Sequence, residues 1–413
     1  MTQQERRGWL IVASLFIVLL LVFGGGYNTV AVFVPALLRA FPGWSRAEVA
    51  LLPSVLALSA GLSVLPIGWL LDRVEARVVM AFGAVASGSA FLIASQANSL
   101  LPMMAAYLLL GVGISAATVL PASLVLANWF EARRGLAMGI SISGTTVGGT
   151  VMTLVASSMI LGRGWRTAYI ALGLPMIVIV VPLLALTIRS RPPGAAKLSV
   201  AEGAERLEGF ETLEALRARS FWMIVIANLC FGLAAAGTVA HMVAYLEGVG
   251  YKPGNAALAM SVFFGCAAMG KVAMGYVADR ISARLALAAD FAITGLAFVM
   301  VFGAAHLMVL AVFAVVFGVA AAAPLVLLPL LVAESLGRRR YGVLGALTGL
   351  AGTLGATVGP VVAGRIFDMT GSYTNAFQLF ILLDLIGAVA AFACQPFAAA
   401  RSRMAITPVR ASA

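Results

Sequence analysis

The sequence predicts an all-α membrane protein in which twelve membrane-spanning helices form two pseudo-symmetric halves of six. Three observations support this prediction: the composition, the number of long apolar segments, and an internal repeat. The 413 residues are 62% hydrophobic and 10% charged, whereas soluble domains contain about 25% charged residues. Because so few charges cannot cover a water-exposed globule of this length, the composition indicates an integral membrane protein.

Twelve apolar segments follow one another along the chain. At 1.5 Å per residue each is long enough to cross a hydrocarbon core of about 30 Å, so each predicts one membrane span. The expected spans are Trp9–Leu38, Ala47–Leu71, Val78–Ser95, Leu101–Ala127, Gly135–Leu161, Thr167–Ile188, Phe221–Leu246, Asn255–Ala278, Leu285–Ala304, Leu307–Leu336, Gly342–Phe367 and Thr374–Pro396.

One long connection, Arg189–Ser220, separates the sixth segment from the seventh. All other connections are short, so the chain is expected to divide at this point into two six-helix halves. The predicted organisation is a first half at 1–188, a linker at 189–220, a second half at 221–396 and a tail at 397–413.

The linker is expected to lie in the cytoplasm. It opens with RSRPPG and is charged from Glu202 to Arg219, so it cannot be embedded in the membrane. Some of its apolar residues recur at helical spacing, which predicts one amphipathic helix near the membrane surface. These residues are Leu207, Phe210, Leu213 and Leu216.

An internal repeat supports the division into halves. The spacing G-x3-D-R-x3-R occurs twice, each time where an apolar segment leaves the membrane. The two copies, offset by 207 residues, are Gly68, Asp72, Arg73 and Arg77, and Gly275, Asp279, Arg280 and Arg284. A second match, offset by 206, pairs Arg133, Arg134 and Gly139 with Arg339, Arg340 and Gly345. Parallel repeats of six spans around a substrate site are a known transporter plan.

The duplicated motif predicts a gate at the cytoplasmic face. Its glycine lets two helices approach closely, and its aspartate lies at the carboxyl end of a helix, where the helix dipole disfavours negative charge. We expect each aspartate to pair with an arginine or with the amino end of a neighbouring helix. Such a pair can hold one conformation and release in another. The alternative is that the charges simply anchor the helix ends at the membrane boundary.

The net charge of +11 is explained by topology rather than by nucleic-acid binding. If the connections face the two sides alternately, the inner ones hold 20 Lys and Arg residues and the outer ones hold 6. This bias follows the positive-inside rule and places both termini in the cytoplasm. A multi-pass protein of the cell membrane is expected, with the lipid bilayer and not nucleic acid as its surroundings.

No motif points to catalysis or to a bound metal. Cys230, Cys266 and Cys394 stand alone inside apolar segments, so they are interpreted as small buried apolar residues. The chain shows no nucleophile–base set, no metal-ligand cluster and no phosphate-binding loop. We therefore expect neither an enzyme nor a cofactor.

Lys271 is the leading candidate for substrate binding. It lies eight residues before Asp279, and therefore about 12 Å deeper in the membrane. A lysine at that depth costs roughly 3 kcal/mol on insertion scales, so it is expected to face a watery cavity or a partner, and to bind an anion. The alternative is a structural ion pair with Asp290 or Asp384, which also lie within spans and for which a structural role is expected.

Further candidates are polar residues at the depth of a cavity. Three consecutive glycines, Gly24–Gly26, weaken the first span and predict a local break beside a cavity. His241, in the outer part of the seventh span, is either an interfacial hydrogen-bonding residue or a proton-coupling group, because imidazole titrates near neutral pH. The remaining candidate contacts are Tyr27, Asn28, Thr118 and Tyr276.

Two further stretches carry a resemblance to a known family. Asn128–Gly144, which reads NWFEARRGLAMGISISG, is similar to the aromatic-x-x-RR-x-LA-x-G segment of monocarboxylate porters. Gly359–Tyr373 is similar to their GP-x-x-AG-x-x-x-D-x-TG-x-Y segment. With its twelve segments, central loop and paired motif, the whole chain resembles the major facilitator superfamily, in the branch that also includes oxalate/formate-type antiporters.

The resemblance implies alternating access by rocking of two halves around a central anion site. In this comparison Lys271 stands where the monocarboxylate branch usually carries a carboxylate-binding arginine. Ala267 replaces the proton-coupling aspartate of the animal porters, and Asn28 replaces their first-span lysine. The ammonium group of a lysine is a point charge, whereas the planar guanidinium group of an arginine can make two parallel hydrogen bonds to a carboxylate. A lysine therefore orients a planar carboxylate less strictly.

These observations predict a secondary active transporter for a small organic anion, with a monocarboxylate as the first expectation. Transport is expected to be driven either by protons or by exchange, and the protein is expected to function as a monomer. Two alternatives remain open. A proton-driven exporter of lipophilic or cationic compounds would depend on Asp290 or Asp384 and not on Lys271. A non-transporting membrane sensor would carry a large soluble domain or a long tail, whereas Phe397–Ala413 is all that follows the last segment.

Overall fold

The structure, a computed structural model, describes residues 3–190 and 207–397. The chain divides into two compact units, 1–200 and 201–413. The regular structure of the described ranges is helical, and an isolated β-bridge joins Gly209 to Gly337 in the second unit.

The first unit contains six long helical stretches, here called spans 1 to 6. A shorter helix, Val30–Ala40, follows span 1. The bounds are Gln3–Val18 continuing as a π-helix over Leu19–Asn28 (span 1), Arg46–Leu71 (span 2), Ala76–Gln96 (span 3), Leu100–Ala117 with Val119–Trp129 (span 4), Arg134–Arg163 (span 5), and Trp165–Pro175, Met176–Val180 and Val181–Thr187 (span 6).

The second unit repeats this plan with spans 7 to 12. A six-residue helix, Thr212–Arg217, precedes span 7. The bounds are Arg219–Gly248 (span 7), Pro253–Ile281 (span 8), Ala283–Val301 (span 9), Leu307–Ala321 with Pro324–Ser335 (span 10), Tyr341–Thr370 (span 11) and Thr374–Ala393 (span 12).

The predicted fold class is confirmed. Within the described residues, twelve helices are long and apolar enough to cross a membrane, one for each predicted segment. The start of span 2 shows how local sequence sets a boundary. Ser45 and Glu48 form a capping box in which the Glu48 N–H donates to the Ser45 hydroxyl at 3.2 Å and the Ser45 N–H donates to the Glu48 carboxylate at 2.7 Å. These hydrogen bonds satisfy two amides that the first turn leaves open.

Spans 4 and 10 are interrupted at corresponding positions, and proline explains both interruptions. Pro324 has no N–H for the carbonyl of Ala320, which accepts instead from the N–H of Ala323 at 2.8 Å. Pro121 likewise offers no N–H to the residue four positions earlier. The break in span 4 falls at Thr118, whose backbone is not helical (φ −114°, ψ −123°).

The three glycines of span 1 widen the helix instead of breaking it. Leu19–Asn28 is a continuous π-helix, so the expected local break does not occur. A Cβ atom on Gly24 would collide with the backbone of Gly148 in span 5, and one on Gly26 would lie 2.8 Å from Cδ1 of Ile114 in span 4. The glycines therefore allow span 1 to pack closely against its neighbours, as small residues do between membrane helices.

The part of the linker that the structure describes docks on its own unit. The N–H of Phe210 donates to the carbonyl of Leu336 at 3.0 Å, and the N–H of Arg338 donates to the carbonyl of Glu208 at 2.8 Å. The Glu211 carboxylate accepts from Arg340 Nε at 2.8 Å. It also lies 3.0 Å from a terminal nitrogen of Arg339.

This docking replaces the expected amphipathic helix on the membrane surface. Phe210 is 3% exposed and Leu213 is 65% exposed, so these two residues do not share one apolar face. The helix that follows Glu211 is only six residues long, because the preceding residues are held extended by their bonds to the 336–338 loop. The linker residues 191–206, including Glu202, lie outside the described residues.

Candidate functional site

Lys271 is buried in span 8, with 2% of its surface exposed. It lies ten residues before Ile281, where the helix ends, which corresponds to a depth of about 15 Å. The preceding Gly270 packs directly on the backbone of Val319 in span 10. This close approach of two backbones holds span 8 near span 10. The ammonium group therefore lies near the middle of an apolar helix, away from both of its ends.

The alternative ion pair between Lys271 and an intramembrane acid is not formed. Both carboxylate oxygens of Asp290 and Oδ2 of Asp384 are buried without a hydrogen-bond partner among the described residues. Neither acid takes part in a salt bridge with any described residue. Lys271 and the two acids are therefore separate features of the second unit.

Tyr276, five residues after Lys271, lies nearer the end of span 8. Its side chain is 46% exposed, and its hydroxyl accepts a hydrogen bond from Arg280 at 2.6 Å. The Arg280 guanidinium also lies over the Tyr276 ring, 4.9 Å from its centroid. The structure thus joins this candidate substrate contact to the second copy of the duplicated motif.

His241 in span 7 makes two hydrogen bonds. Its Nδ1 lies 3.1 Å from the hydroxyl of Tyr373, and its Nε2 lies 2.9 Å from the carbonyl oxygen of Pro360. Among the described residues these are its hydrogen-bond partners, so the structure does not join it to Lys271 or Tyr276. Tyr373 and Pro360 were not predicted as partners of His241, although both stand in the segment that carries the family resemblance.

The first-unit candidates Tyr27 and Asn28 lie at the end of the π-helix. Asn28 donates from Nδ2 to the carbonyl of Thr145 in span 5 at 3.1 Å. It reaches that carbonyl across Gly149, where a Cβ would lie 2.5 Å from Nδ2. Tyr27 is 44% exposed and stacks on Phe23 with ring centroids 5.2 Å apart. Asn28 therefore has a fixed orientation, whereas Tyr27 presents its ring at a surface.

Thr118 occupies the break in span 4. Its side chain is buried, and its hydroxyl donates to the carbonyl of Ile114 at 2.7 Å. This bond satisfies a carbonyl beside the interruption. The hydroxyl of Thr118 is thus used for local structure in this conformation, in contrast to the exposed ring of Tyr27.

The first copy of the duplicated motif closes the end of span 2. Gly68 and Asp72 are buried, and Asp72 is the C-terminal capping residue of the span. Arg73 folds back over the ring of Trp69, 3.9 Å from its centroid. Arg77 lies 3.8 Å from the Glu75 carboxylate, with both side chains more than a third exposed. Such an exposed pair contributes little stability.

The second copy is arranged around the start of span 9. Gly275 is buried, and Asp279 is half-buried near the end of span 8. Arg284 donates to the carbonyl of Cys394 at 3.2 Å, which ties the start of span 9 to the end of span 12. The N–H of Ala283 donates to the Glu334 carboxylate, at the end of span 10, at 2.8 Å.

A corresponding bond in the first unit was not predicted from the sequence. The N–H of Ala76, the counterpart of Ala283 at the 207-residue offset, donates to the hydroxyl of Ser190 at 2.8 Å. Asn128, the counterpart of Glu334 at the 206-residue offset, donates to the carbonyl of Ser190 at 3.2 Å. Both units therefore cap the span that follows the motif, with different side chains. The internal repeat was the signal that could have identified these positions.

Comparison with known proteins places these features in a family. A family model described as Major Facilitator Superfamily matches residues 15–258 and 249–407. Monocarboxylate transporter 13 of Rattus norvegicus is 27% identical over 391 residues, covering 90% of this chain and 85% of that protein. The probable sulfoacetate transporter SauU of Cupriavidus necator is 26% identical over 353 residues, covering 80% of each protein.

Other relatives are matched over shorter stretches. Two proteins named only as MFS-type transporters, from Gibberella moniliformis and Bacillus subtilis, are covered over 39% and 58% of their lengths. Among solved structures, the transporter FucP in its outward conformation superimposes with a TM-score of 0.75 at 15% identity, covering 92% of this chain and 97% of FucP. The matched family and fold are those of membrane transporters, not of enzymes.

Proposed function

The chain belongs to the Major Facilitator Superfamily, and from this premise we propose that it is a secondary active transporter of a small organic anion. A monocarboxylate is the first cargo to test. Transport proceeds by alternating access, as in transporters built from parallel six-span repeats. The protein works as a monomer in the cell membrane, with both termini in the cytoplasm.

The observation that carries this proposal is the burial of Lys271 in the middle of span 8. A cation in an apolar helix costs several kcal/mol, and such residues usually mark substrate or ion pathways. Since Lys271 forms no ion pair with Asp290 or Asp384, these acids do not account for its position. A positive charge in an apolar interior attracts an anion that reaches it.

The names of two relatives support a negatively charged cargo. One is named as a transporter of monocarboxylates and the other as a probable transporter of sulfoacetate. Monocarboxylates and sulfoacetate are both small organic anions. The two relatives align with most of this chain, including span 8. Their agreement favours an anion over a sugar or a cation.

The other candidates take supporting roles in this proposal. Tyr27 and Asn28 contribute polar contacts at the end of span 1, and Tyr276 and Thr118 are weaker candidates for contact with the cargo. His241 is a candidate for proton handling. The two copies of the duplicated motif act as the gate, and their residues are Gly68, Asp72, Arg73, Arg77, Gly275, Asp279, Arg280 and Arg284.

Uptake into proteoliposomes tests the role of Lys271. Radiolabelled lactate, pyruvate and sulfoacetate serve as probes for wild type, Lys271→Ala and Lys271→Arg. Loss of a charge-assisted contact corresponds to about tenfold or more in affinity, so Lys271→Ala should abolish uptake at low probe concentration. Lys271→Arg should retain part of it because the charge remains. The control is Lys252→Ala, an exposed lysine before span 8, which should transport within twofold of wild type.

A binding measurement separates a variant that no longer binds the probe from one that binds it but no longer transports it. A probe that binds the folded protein raises its thermal midpoint, and this rise should disappear in Lys271→Ala. Uptake of all three probes by Lys271→Ala at the wild-type rate would contradict the assignment.

A second candidate function is a proton-driven exporter of lipophilic or cationic compounds. The observation that favours it is the buried carboxyl group of Asp384 beside a small apolar cavity of about 10 Å³ in the second unit. Aromatic side chains that include Phe231, Phe291 and Phe298 also line this cavity. An exporter predicts that Asp384→Asn abolishes the efflux of a lipophilic cation while Lys271→Ala leaves it intact.

A further inference from the structure

Spans 9 and 12 pack closely and each carries one buried aspartate, Asp290 in span 9 and Asp384 in span 12. A Cβ atom on Gly295 of span 9 would lie 3.4 Å from the Cβ of Asp384 in span 12. A Cβ atom on Gly387 of span 12 would lie 2.8 Å from the Phe291 ring in span 9. The two helices are thus antiparallel, and Asp290 lies within about two helical turns of Asp384 along their axes. Thr294, one turn after Asp290, lines the same cavity as Asp384, and two ionised carboxylates at such a separation in an apolar interior repel each other.

Both acids are buried and have unused hydrogen-bonding atoms. Asp290 is 0% exposed and Asp384 is 2% exposed. Both oxygens of Asp290 and Oδ2 of Asp384 have no hydrogen-bond partner among the described residues. Asp384 also lines the 10 Å³ cavity. Buried carboxyl oxygens without partners are costly, so this arrangement requires an explanation.

Within the ranges that the structure describes, no charged side chain forms an ion pair with either acid. On span 7, the one titratable residue between Arg219 and His241 is Cys230, whose thiol is no counter-charge for a carboxylate. Glu334 of span 10 is bonded to the N–H of Ala283. On span 9 itself, Arg284 is bonded to the carbonyl of Cys394.

Spans 8 and 11 also leave the pair without an ion partner. On span 8, Lys271 makes no ion pair with either acid, and the other titratable residues of that span are Cys266, Tyr276, Asp279 and Arg280. Span 11 contains no titratable residue between Tyr341 and Arg365. Two ionised carboxylates would therefore have to coexist in an apolar interior without a counter-charge. Desolvation and mutual repulsion both oppose that state.

The surroundings favour a proton over a metal ion. Hard cations take about six or more oxygen ligands. The hydroxyl of Thr294 beside the pair donates to the backbone carbonyl of Asp290, and the rest of the cavity lining is aromatic or aliphatic. A proton needs only one carboxyl oxygen. We propose that Asp290 and Asp384 form a proton-binding site between spans 9 and 12.

This step rests on the function proposed above. In such a transporter the bound proton is the coupling ion. The packing of Asp384 on Gly295 and of Phe291 on Gly387 leaves little space between the helices. Movement of span 12 relative to span 9 would therefore change the solvation of both carboxyl groups. Such a change couples the loss of the proton to a change of conformation.

A measurement of stability against pH tests proton binding without any substrate. A folded state that holds a proton which the unfolded chain has lost becomes less stable as pH rises. The thermal midpoint of the purified protein should fall by roughly 1–2 °C per pH unit from about pH 4, where an aspartate of the unfolded chain loses its proton, up to the pH at which the folded site loses its own. The double variant Asp290→Asn/Asp384→Asn should lack this decrease. Asp368→Asn, an exposed acid in span 11, should retain it.

Transport tests coupling separately. In proteoliposomes, an inward proton gradient should stimulate lactate uptake by wild type. In the double variant this stimulation should fall at least tenfold, while lactate exchange at equal pH stays within twofold of wild type. If the two carboxyl groups share one proton, Asp384→Asn alone should also lose the stimulation by the gradient and retain lactate exchange at equal pH.

Three results would overturn the inference: an unchanged pH dependence of the midpoint in the double variant, an unchanged response to the gradient, or stabilisation of wild type but not the variant by sodium. If wild type transports none of the three anionic probes, the proposed cargo fails, and the midpoint measurement still decides whether the pair holds a proton.

Discussion

The imidazole of His241 is held between the hydroxyl of Tyr373, 3.1 Å from Nδ1, and the carbonyl oxygen of Pro360, 2.9 Å from Nε2. A carbonyl oxygen can only accept, so Nε2 carries a hydrogen. In the neutral ring Nδ1 then accepts from the Tyr373 hydroxyl. Because Pro360 lies in span 11 and Tyr373 directly precedes span 12, one side chain of span 7 connects three helices.

Removal of the Tyr373 hydroxyl should weaken this connection. Tyr373→Phe retains the stacking on Phe367, whose ring centroid is 4.4 Å away, and loses the hydrogen bond to His241. The expected destabilisation is about 1 kcal/mol, measured as a lower thermal midpoint of the purified protein. Tyr27→Phe is the control, because the Tyr27 hydroxyl bonds to no other described residue, and it should change stability by less than about 0.5 kcal/mol. Equal effects of the two substitutions would contradict this role.

The ion pairs of Glu211 should make the linker contact depend on pH. The hydrogen bond from Arg340 holds the pKa of Glu211 below its usual value. A carboxyl group with a lowered folded-state pKa stabilises the protein above its unfolded-state pKa, and this contribution is lost as pH falls through the folded-state value. Since about a third of the side chain is exposed, the contribution is at most about 1 kcal/mol.

Thermal midpoints across pH check this expectation. Glu211→Gln should lower the midpoint at pH 7, and its difference from wild type should shrink as pH falls below about 4. Glu208→Gln is the matched control, because Glu208 contributes its backbone carbonyl to the contact and not its side chain. A difference for Glu211→Gln that stays constant down to pH 3 would show that charge is not responsible.

The contact between spans 7 and 11 should depend on one glycine and not on another. A Cβ on Gly355 would collide with the carbonyl oxygen of Leu229 and lie 2.9 Å from the backbone nitrogen of Leu233, whereas one on Gly349 would meet nothing within 4 Å. Gly355→Ala should therefore destabilise the protein by about 1–3 kcal/mol. Gly349→Ala should be neutral or slightly stabilising, because alanine favours a helix. Thermal midpoints that fall equally for both would exclude close packing as the reason.

The sequence by itself determined the fold class and the number of spans. The membrane solvates no backbone polar groups, so a long apolar segment has to form a helix, and each segment can be interpreted without knowledge of its neighbours. The paired motif and the position of Lys271 follow from counting residues along such helices. The charged, proline-containing linker was also visible as a segment that cannot enter the membrane.

The tertiary structure alone decided which side chains meet. His241 and Tyr373 are far apart in the chain, and their contact depends on how spans 7, 11 and 12 pack. The same holds for Asp290 and Asp384, and for Gly24 and Gly148, whose contact lets the π-helix of span 1 pack against span 5. Helical periodicity shows which residues share a face, but it does not show which other helix covers that face. That choice depends on shape complementarity and close packing between elements distant in sequence.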